Sequence, residues 1–295
     1  MKTRENNPEP SNPLGLDGIE FIEYITAEPL ALGGVLEQMG FVQVGRHRSR
    51  EVLLFRQGGM NVVVNADPGA RSGVQDEPGG TSLSAIAFRV RDAALAYEQA
   101  LARGAWAIPT RAGAMELNIP GVYGPGGAVL YFVDRCQDFS IYDVDFKPAA
   151  ATDVAPAAIA GLHFFGVVQS IGAGRSAEWV DFYQHLMNFR VLPEETRFGI
   201  LPKGTLLQSP CEDFYLQLVE PPPGSEDVHW DEELIRIGFG TPDVGAAVRA
   251  LEQRGVAFVD REPVKPNGKG ALTQLFKGGV SFELVHDTLE ARHAA

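Results

Sequence analysis

The sequence is poor in the features that mark several large protein classes. Its 295 residues hold two cysteines, Cys136 and Cys211, one in each half and without CxxC spacing. That argues against a disulfide framework and a cysteine-ligated zinc site, and leaves both as free thiols. No run of 18 or more apolar residues occurs, and the opening MKTRENNPEPSNP is polar and proline-rich, so neither a membrane span nor a secretory leader is expected. Basic residues number 25 against 38 acidic ones, a formal net charge of −13, and they form no cluster. The electrostatic footprint of a nucleic-acid binder is therefore missing. The reading is a cytoplasmic protein with neither nucleic acid nor membrane as partner. Nucleotide-binding fingerprints are lacking too: GPGGA at 124–128 has no strand-to-helix context and reads as a turn, and SPC at 209–211 has no histidine base.

What the sequence does contain is an internal repeat. RVRDAALAYEQALARGAWAI (89–108) and GTPDVGAAVRALEQRGVAFV (240–259) share a strand end, an Asp at a helix N-terminus, an Ala/Leu-rich helix, a glycine stop and a following strand. GIEFIEYI at 18 matches GLHFFGVV at 161, and GGAVLYFV at 126 matches GGVSFELV at 278. Three segments matched at offsets of 151, 143 and 152 residues predict a duplicated domain.

Within the first half, apolar periodicity predicts a strand over 18–25, a helix over 29–39, and short strands over 41–46, 51–56 and 60–65. A strand over 82–90, a helix over 92–103 and strands ending at 128–134 follow. A second-half helix is expected over 176–189. Breaker-rich DPGARSGVQDEPGGTS (67–82) reads as a surface loop, and KPAAATDVAPAAIA (147–160) as an interdomain connection. The expected fold class is α+β, with four βαβββ modules forming two half-open barrels. Residues 1–13 read as a flexible N-terminus, 14–148 as the first domain, 149–160 as the linker, 161–288 as the second domain and 289–295 as a tail.

Together NPLGLDGIEFIEYIT, GRHRSREVLLFRQGGMNVVVNADP, AIAFRVRDAALAYEQALARGA, AMELNIPGVYGPGGAVLYFVDR and FSIYDVDF resemble the N-terminal half of bacterial 4-hydroxyphenylpyruvate dioxygenases, of the vicinal-oxygen-chelate superfamily. The likeness runs over 12–146. In the second half GLHFFGVV, RSAEWVDFYQHLMNFR, QSPC, TPDV, LTQLF and SFELV have counterparts in order. The resemblance implies a C-terminal barrel that holds one Fe(II) between two histidines and a glutamate, with open positions for a 2-oxo acid and dioxygen.

Carried over residue by residue, the resemblance places Glu283 of SFELV at the carboxylate ligand. The first ligand histidine falls on Val167, or on Gly166 with a one-residue gap, and the second on Arg236. A guanidinium has no lone pair to donate. Arg236 and Glu283 are therefore expected to meet as a bidentate ion pair in place of the metal. The family's closing C-terminal helix is not expected from HDTLEARHAA, whereas its substrate-facing Gln and Phe are kept as Gln274 and Phe276.

A strand period of two puts His163, Phe165, Val167 and Gln169 on one face. An alternative metal site could thus draw on His163, Gln169 and Glu283. His47, His185, His229, His286 and His293 read as structural or solvated. In the first half, Tyr24, Ala85 and Tyr131 fall at the repeat positions of Val167, Arg236 and Glu283 and form no divalent-metal set, while Glu20 and Glu23 flank the first strand.

The expected function is a dioxygenase-like protein that binds a small aromatic or 2-oxo acid-type ligand in its C-terminal barrel. Arg236, Gln274, Phe276, Gln217 and His163 would line that site. Glu283 is the best candidate for catalysis, and no cofactor is expected. The alternative is an active Fe(II)-dependent 2-oxo acid dioxygenase with the relocated site. A homo-oligomer is compatible with either.

Overall fold

Strand β1 (Leu16–Thr26) is buried along nearly its whole length, because β4 flanks it on one edge, β5 on the other, and helices cover one face. It opens a computed structural model that describes residues 9–70, 80–109, 116–134, 140–149, 155–201, 204–222, 224 and 230–288. After β1 come α1 (Pro29–Gln38), β2 (Val42–His47), β3 (Val52–Gln57), β4 (Met60–Asn65), β5 (Thr81–Val90), α2 (Ala93–Ala102), β6 (Gly121–Tyr123), β7 (Val129–Asp134), α3 (Ile141–Asp145) and β8 (Phe146–Pro148). The second half runs β9 (His163–Ser170), α4 (Ser176–Met187), β10 (Arg190–Val191), β11 (Thr205–Gln208), β12 (Tyr215–Val219), β13 (Glu233–Thr241), α5 (Val244–Glu252), β14 (Gly270–Leu272) and β15 (Phe282–His286). Cys136, His229, His293 and the expected tail 289–295 lie outside the described residues, as do residues 1–8.

The helix starts follow the local chemistry that the repeat displays. Asp92 accepts a hydrogen bond from Leu95 N at 2.9 Å, and Asp243 accepts one from Ala246 N at 2.8 Å. Each side chain satisfies an amide that the first turn leaves without a partner. Helix α4 ends at Asn188, whose left-handed backbone closes the turn.

The strands join in the order β10-β11-β12-β9-β13-β5-β1-β4-β3-β2-β8, with β7 and β6 beyond β5, and β15 and β14 beyond β13. Two modules show the full βαβββ pattern. In the other two, the described strands after the helix number two, and the third is reduced to the single bridges Ala107–Val122 and Phe258–Thr273. A register pair, Leu234 with Leu83, links the two halves through β13 and β5.

Two domains were expected, yet one core runs through both halves. Phe88 of β5 stacks on Phe214 with ring centres 5.4 Å apart, and Phe41 meets Phe239 at 6.0 Å. The connection is docked as well: Gly58 N donates to Pro156 O, and Ile159 N to the Gln57 side chain. Asn12, assigned to a flexible start, is buried and exchanges two hydrogen bonds with the backbone of Leu16. No described helix is long and apolar enough to cross a membrane.

Candidate functional site

Glu283 lies on β15 between β13 and β14, in register with Gly238 and Leu272, and is 2% exposed. Arg236 reaches it from β13, with Nε 4.0 Å from Glu283 Oε2. The two groups meet as expected, but not as a bidentate pair, since Arg236 Nε makes no hydrogen bond. Burial lowers the Arg236 pKa, and the Glu283 charge opposes that shift.

The first strand of this half departs from a period of two. Phe239 pairs with Phe164, while Gly238 pairs with Gly166, so Phe165 is an extra residue bulged out of the ladder. Phe164 and Val167 consequently both join the core on the helix side, and Phe165 turns into the barrel. The residue in register with Arg236 is Val168, not Val167. At Gly166 an added Cβ would collide with the backbone of Tyr215, so no side chain fits there.

The barrel is filled from within. Phe165, Tyr215 and Phe198 form a three-ring cluster with centres 4.8 to 5.1 Å apart. Phe198 comes from the segment between β10 and β11, and the next residue, Gly199, has positive φ and lies against Glu283. Only glycine suits that backbone and that approach. Among Phe165, Tyr215, Gln217 and Glu283 the remaining void is about 20 Å³. That is room for one water, against about 300–1,000 Å³ for a small-molecule pocket.

The other proposed ligand-binding residues are dispersed. His163 stands at the strand end, with Nε2 2.7 Å from Asp287 Oδ2 and Nδ1 3.1 Å from Gly161 O. Gln169 turns to the helix side, donating to Pro125 O and accepting from Tyr183 OH, so it does not meet Glu283. Gln274 is exposed and bonds Phe258 O, and Phe276 packs on Phe282 in the main core. Of these residues, Gln217 borders the small void beside Glu283.

Open space lies instead in the first half, where no site was expected. A cavity of about 1180 Å³ runs over β1, β5 and β7 and is also lined by residues 231–234, which lead into and open β13. Small side chains make it. Across the sheet, Glu23 is in register with Ala85, and Ala85 with Val129; the next row is Phe21, Ala87 and Tyr131. Ala85 occupies the repeat position of Arg236, and Ala87 that of Gly238, with no inserted ring like Phe198 described above them.

Glu23 is 8% exposed and accepts from Asn65 Nδ2 at 2.7 Å. Glu20, the other acid on this strand, pairs with Arg89 at 2.9 Å. His47, expected to be structural or solvated, lines the cavity. Its Nδ1 accepts from the amides of Ser49 and Arg50, and its ring stands edge-on to Phe146. Arg50 is held by both oxygens of Glu116. Burial pulls the His47 pKa below 6.5 despite Asp145 and Glu116 nearby. A histidine so shifted contributes stability above its unfolded pKa that is lost as pH falls through the folded value. Proton NMR titration should give a His47 midpoint below 6.5, and a midpoint at or above that would contradict the burial.

Residues 10–147 match the family model described as hydroxyphenylpyruvate dioxygenase, HPPD, N-terminal, and residues 162–283 that of the glyoxalase/bleomycin resistance protein/dioxygenase superfamily. Hemolysin VllY of Vibrio vulnificus (strain CMCP6) is 38% identical over 267 residues, covering 84% of this chain and 73% of that protein. A 4-hydroxyphenylpyruvate dioxygenase of Pseudomonas aeruginosa is 34% identical over 268 residues, covering 85% and 73%. The chain belongs to the 4-hydroxyphenylpyruvate dioxygenase family. A solved fusion of a xylose isomerase-like TIM barrel with a 4-hydroxyphenylpyruvate dioxygenase shares the fold, with a TM-score of 0.73 at 24% identity over 100% of this chain and 53% of that one.

Membership in the 4-hydroxyphenylpyruvate dioxygenase family raises Fe(II) as the implied metal. The side chains around Glu283 do not suit it. Arg236 carries a fixed positive charge 4.0 Å from the carboxylate, and Gly166, Val168 and Gly238 offer no donor. Among the described residues, no group of three His, Cys, Asp or Glu could hold a metal ion.

Proposed function

We propose that this 4-hydroxyphenylpyruvate dioxygenase family member binds a small molecule with an aromatic or apolar body without Fe(II)-dependent oxygenation, and that it does so in the first half. The observation that carries this reading is the contrast in free space, about 20 Å³ beside Glu283 against about 1180 Å³ over β1 and β5. A ligand as large as a phenyl ring with a 2-oxo acid chain has no room next to Glu283 while Phe198 occupies the barrel. Arg236 supports the same reading, because its charge would repel a divalent cation. The relocated set of His163, Gln169 and Glu283 is not favoured, since Asp287 engages His163 and Gln169 points to the opposite face.

The test is direct. Purified protein exposed to Fe(II) is expected to retain far less than one iron per chain after desalting, and to show no oxygen uptake on addition of 4-hydroxyphenylpyruvate. Stoichiometric iron with sustained turnover would falsify the proposal.

A further inference from the structure

We propose that Asn267 is a site of spontaneous modification, converted by water to aspartate and isoaspartate, and that the isoaspartyl form loosens the segment that holds Phe198 in the second-half barrel.

The chemistry begins in the sequence, where Asn267 and Gly268 form the one Asn-Gly pair of the chain. The main-chain nitrogen that follows an asparagine can attack its Cγ, and the side chain on the following residue is what most obstructs the approach. Glycine has none. Asn267, Gly268 and Lys269 are exposed in the turn that leads into β14, and a Cβ on Gly268 would meet no described atom within 4 Å. Both water and the attacking nitrogen have access.

Local hydrogen bonds prepare the step. Asn267 Oδ1 accepts from Lys269 N at 2.8 Å, an Asx turn that folds the side chain back over the Gly268 peptide. The same bond polarises the Cγ carbonyl and supports the negative charge that its oxygen gathers during attack. A bond forms between Gly268 N and Asn267 Cγ, the Cγ–Nδ2 bond breaks, and ammonia leaves with the proton of Gly268 N. Water then opens the cyclic imide at either carbonyl, giving aspartate or isoaspartate. Water is the one co-reactant. The other exposed asparagines among the described residues lack this setting: Asn118 precedes Ile119 and Asn188 precedes Phe189, whose side chains crowd the attack.

Position gives the product a consequence. Asn267 and Gly270 exchange two backbone hydrogen bonds, of 3.0 and 3.3 Å, at the open end of β14. Gly270 is buried so closely that an added Cβ would stand 2.9 Å from Gly199 Cα, next to the Phe198 ring that fills the barrel. An isoaspartyl link carries the main chain through Cβ and lengthens it by one atom. The paired bonds then lose their geometry, and Gly270 its fixed place against Gly199.

The test incubates the full chain at mildly alkaline pH and body temperature, and follows the tryptic peptide 262–269 by liquid chromatography and mass spectrometry. Two products with the mass of NH exchanged for O are expected, while Asn118 and Asn188 stay unmodified over the same time. Gly268→Val should slow the conversion at least about ten-fold, because a β-branched side chain then stands in the path. No conversion at Asn267, equal conversion at Asn118 or Asn188, or an undiminished rate in Gly268→Val overturns the site. Should Gly268→Val fail to fold, the comparison among the three asparagines of the unmodified chain still decides. The converted fraction, collected by anion exchange, should exchange amide hydrogens faster over 198–201 and 270–272 than Asn267→Asp, which carries the new charge on an ordinary backbone. Equal exchange in the two overturns the loosening.

Discussion

Phe88→Ala is expected to cost about 3–5 kcal/mol and to weaken both halves of the molecule at once. Phe88 is fully buried on β5 and lies flat against Phe214 of the second half. Phe214 in turn meets Phe189 at 5.7 Å, and Phe189 meets Tyr183 of α4 at 5.6 Å. Truncation therefore opens a cavity at the join between halves, where rings from distant parts of the chain have no simple way to collapse. Urea unfolding followed by tryptophan fluorescence and by far-ultraviolet circular dichroism should shift to lower midpoint as one coincident transition. Two separate transitions, with one of them unmoved, would mean that the halves fold independently and the shared core is of little consequence.

Arg236→Leu should destabilise by about 3 kcal/mol, the lower end of the range for breaking a buried ion pair. The lower end applies because Arg236 is 17% exposed and its Nε stands 4.0 Å from the carboxylate without a hydrogen bond. The substitution removes a cation from beside a carboxylate that is almost wholly out of water, and that desolvation cost dominates. Replacing both groups, as Arg236→Leu with Glu283→Leu, should recover most of the loss, because two apolar side chains suit a barrel already lined by Phe165 and Tyr215. Chemical denaturation of the three variants closes a double-mutant cycle. A single variant with an unchanged midpoint would show that the two charges do not support each other.

The elements were largely legible in the sequence, since the repeat carries its own punctuation. Asp92 and Asp243 cap the helices where an Asp preceded an Ala/Leu-rich run, and β1, β4 and β5 fall within two residues of their expected bounds. Glu283 was legible as a site residue through the resemblance of SFELV, and it is buried between Phe282 and Leu284 on β15. The inward-facing set was not. A single extra residue at Phe165 shifts every following side chain to the opposite face, and nothing in HFFGVVQS signals it. Phe198 belongs to a loop, where period gives no direction. The first-half cavity stayed hidden for a different reason: it is made by Ala85 and Ala87 being small, and alanine in a strand reads as filler rather than as space.

The bulge at Phe165 also sets how far this barrel stands from a ligand-bearing one. Loss of a single codon there would join Phe164 to Gly166 in an even pleat and leave Val167 and Gln169 on the helix side, since both flanks already hold their registers with Phe239 and Gly238. Such a deletion would take one aromatic ring out of the barrel and turn no other side chain of β9 toward Glu283. What separates this barrel from a ligand-bearing one is thus volume, and the strand can give up the ring without disturbing its neighbours.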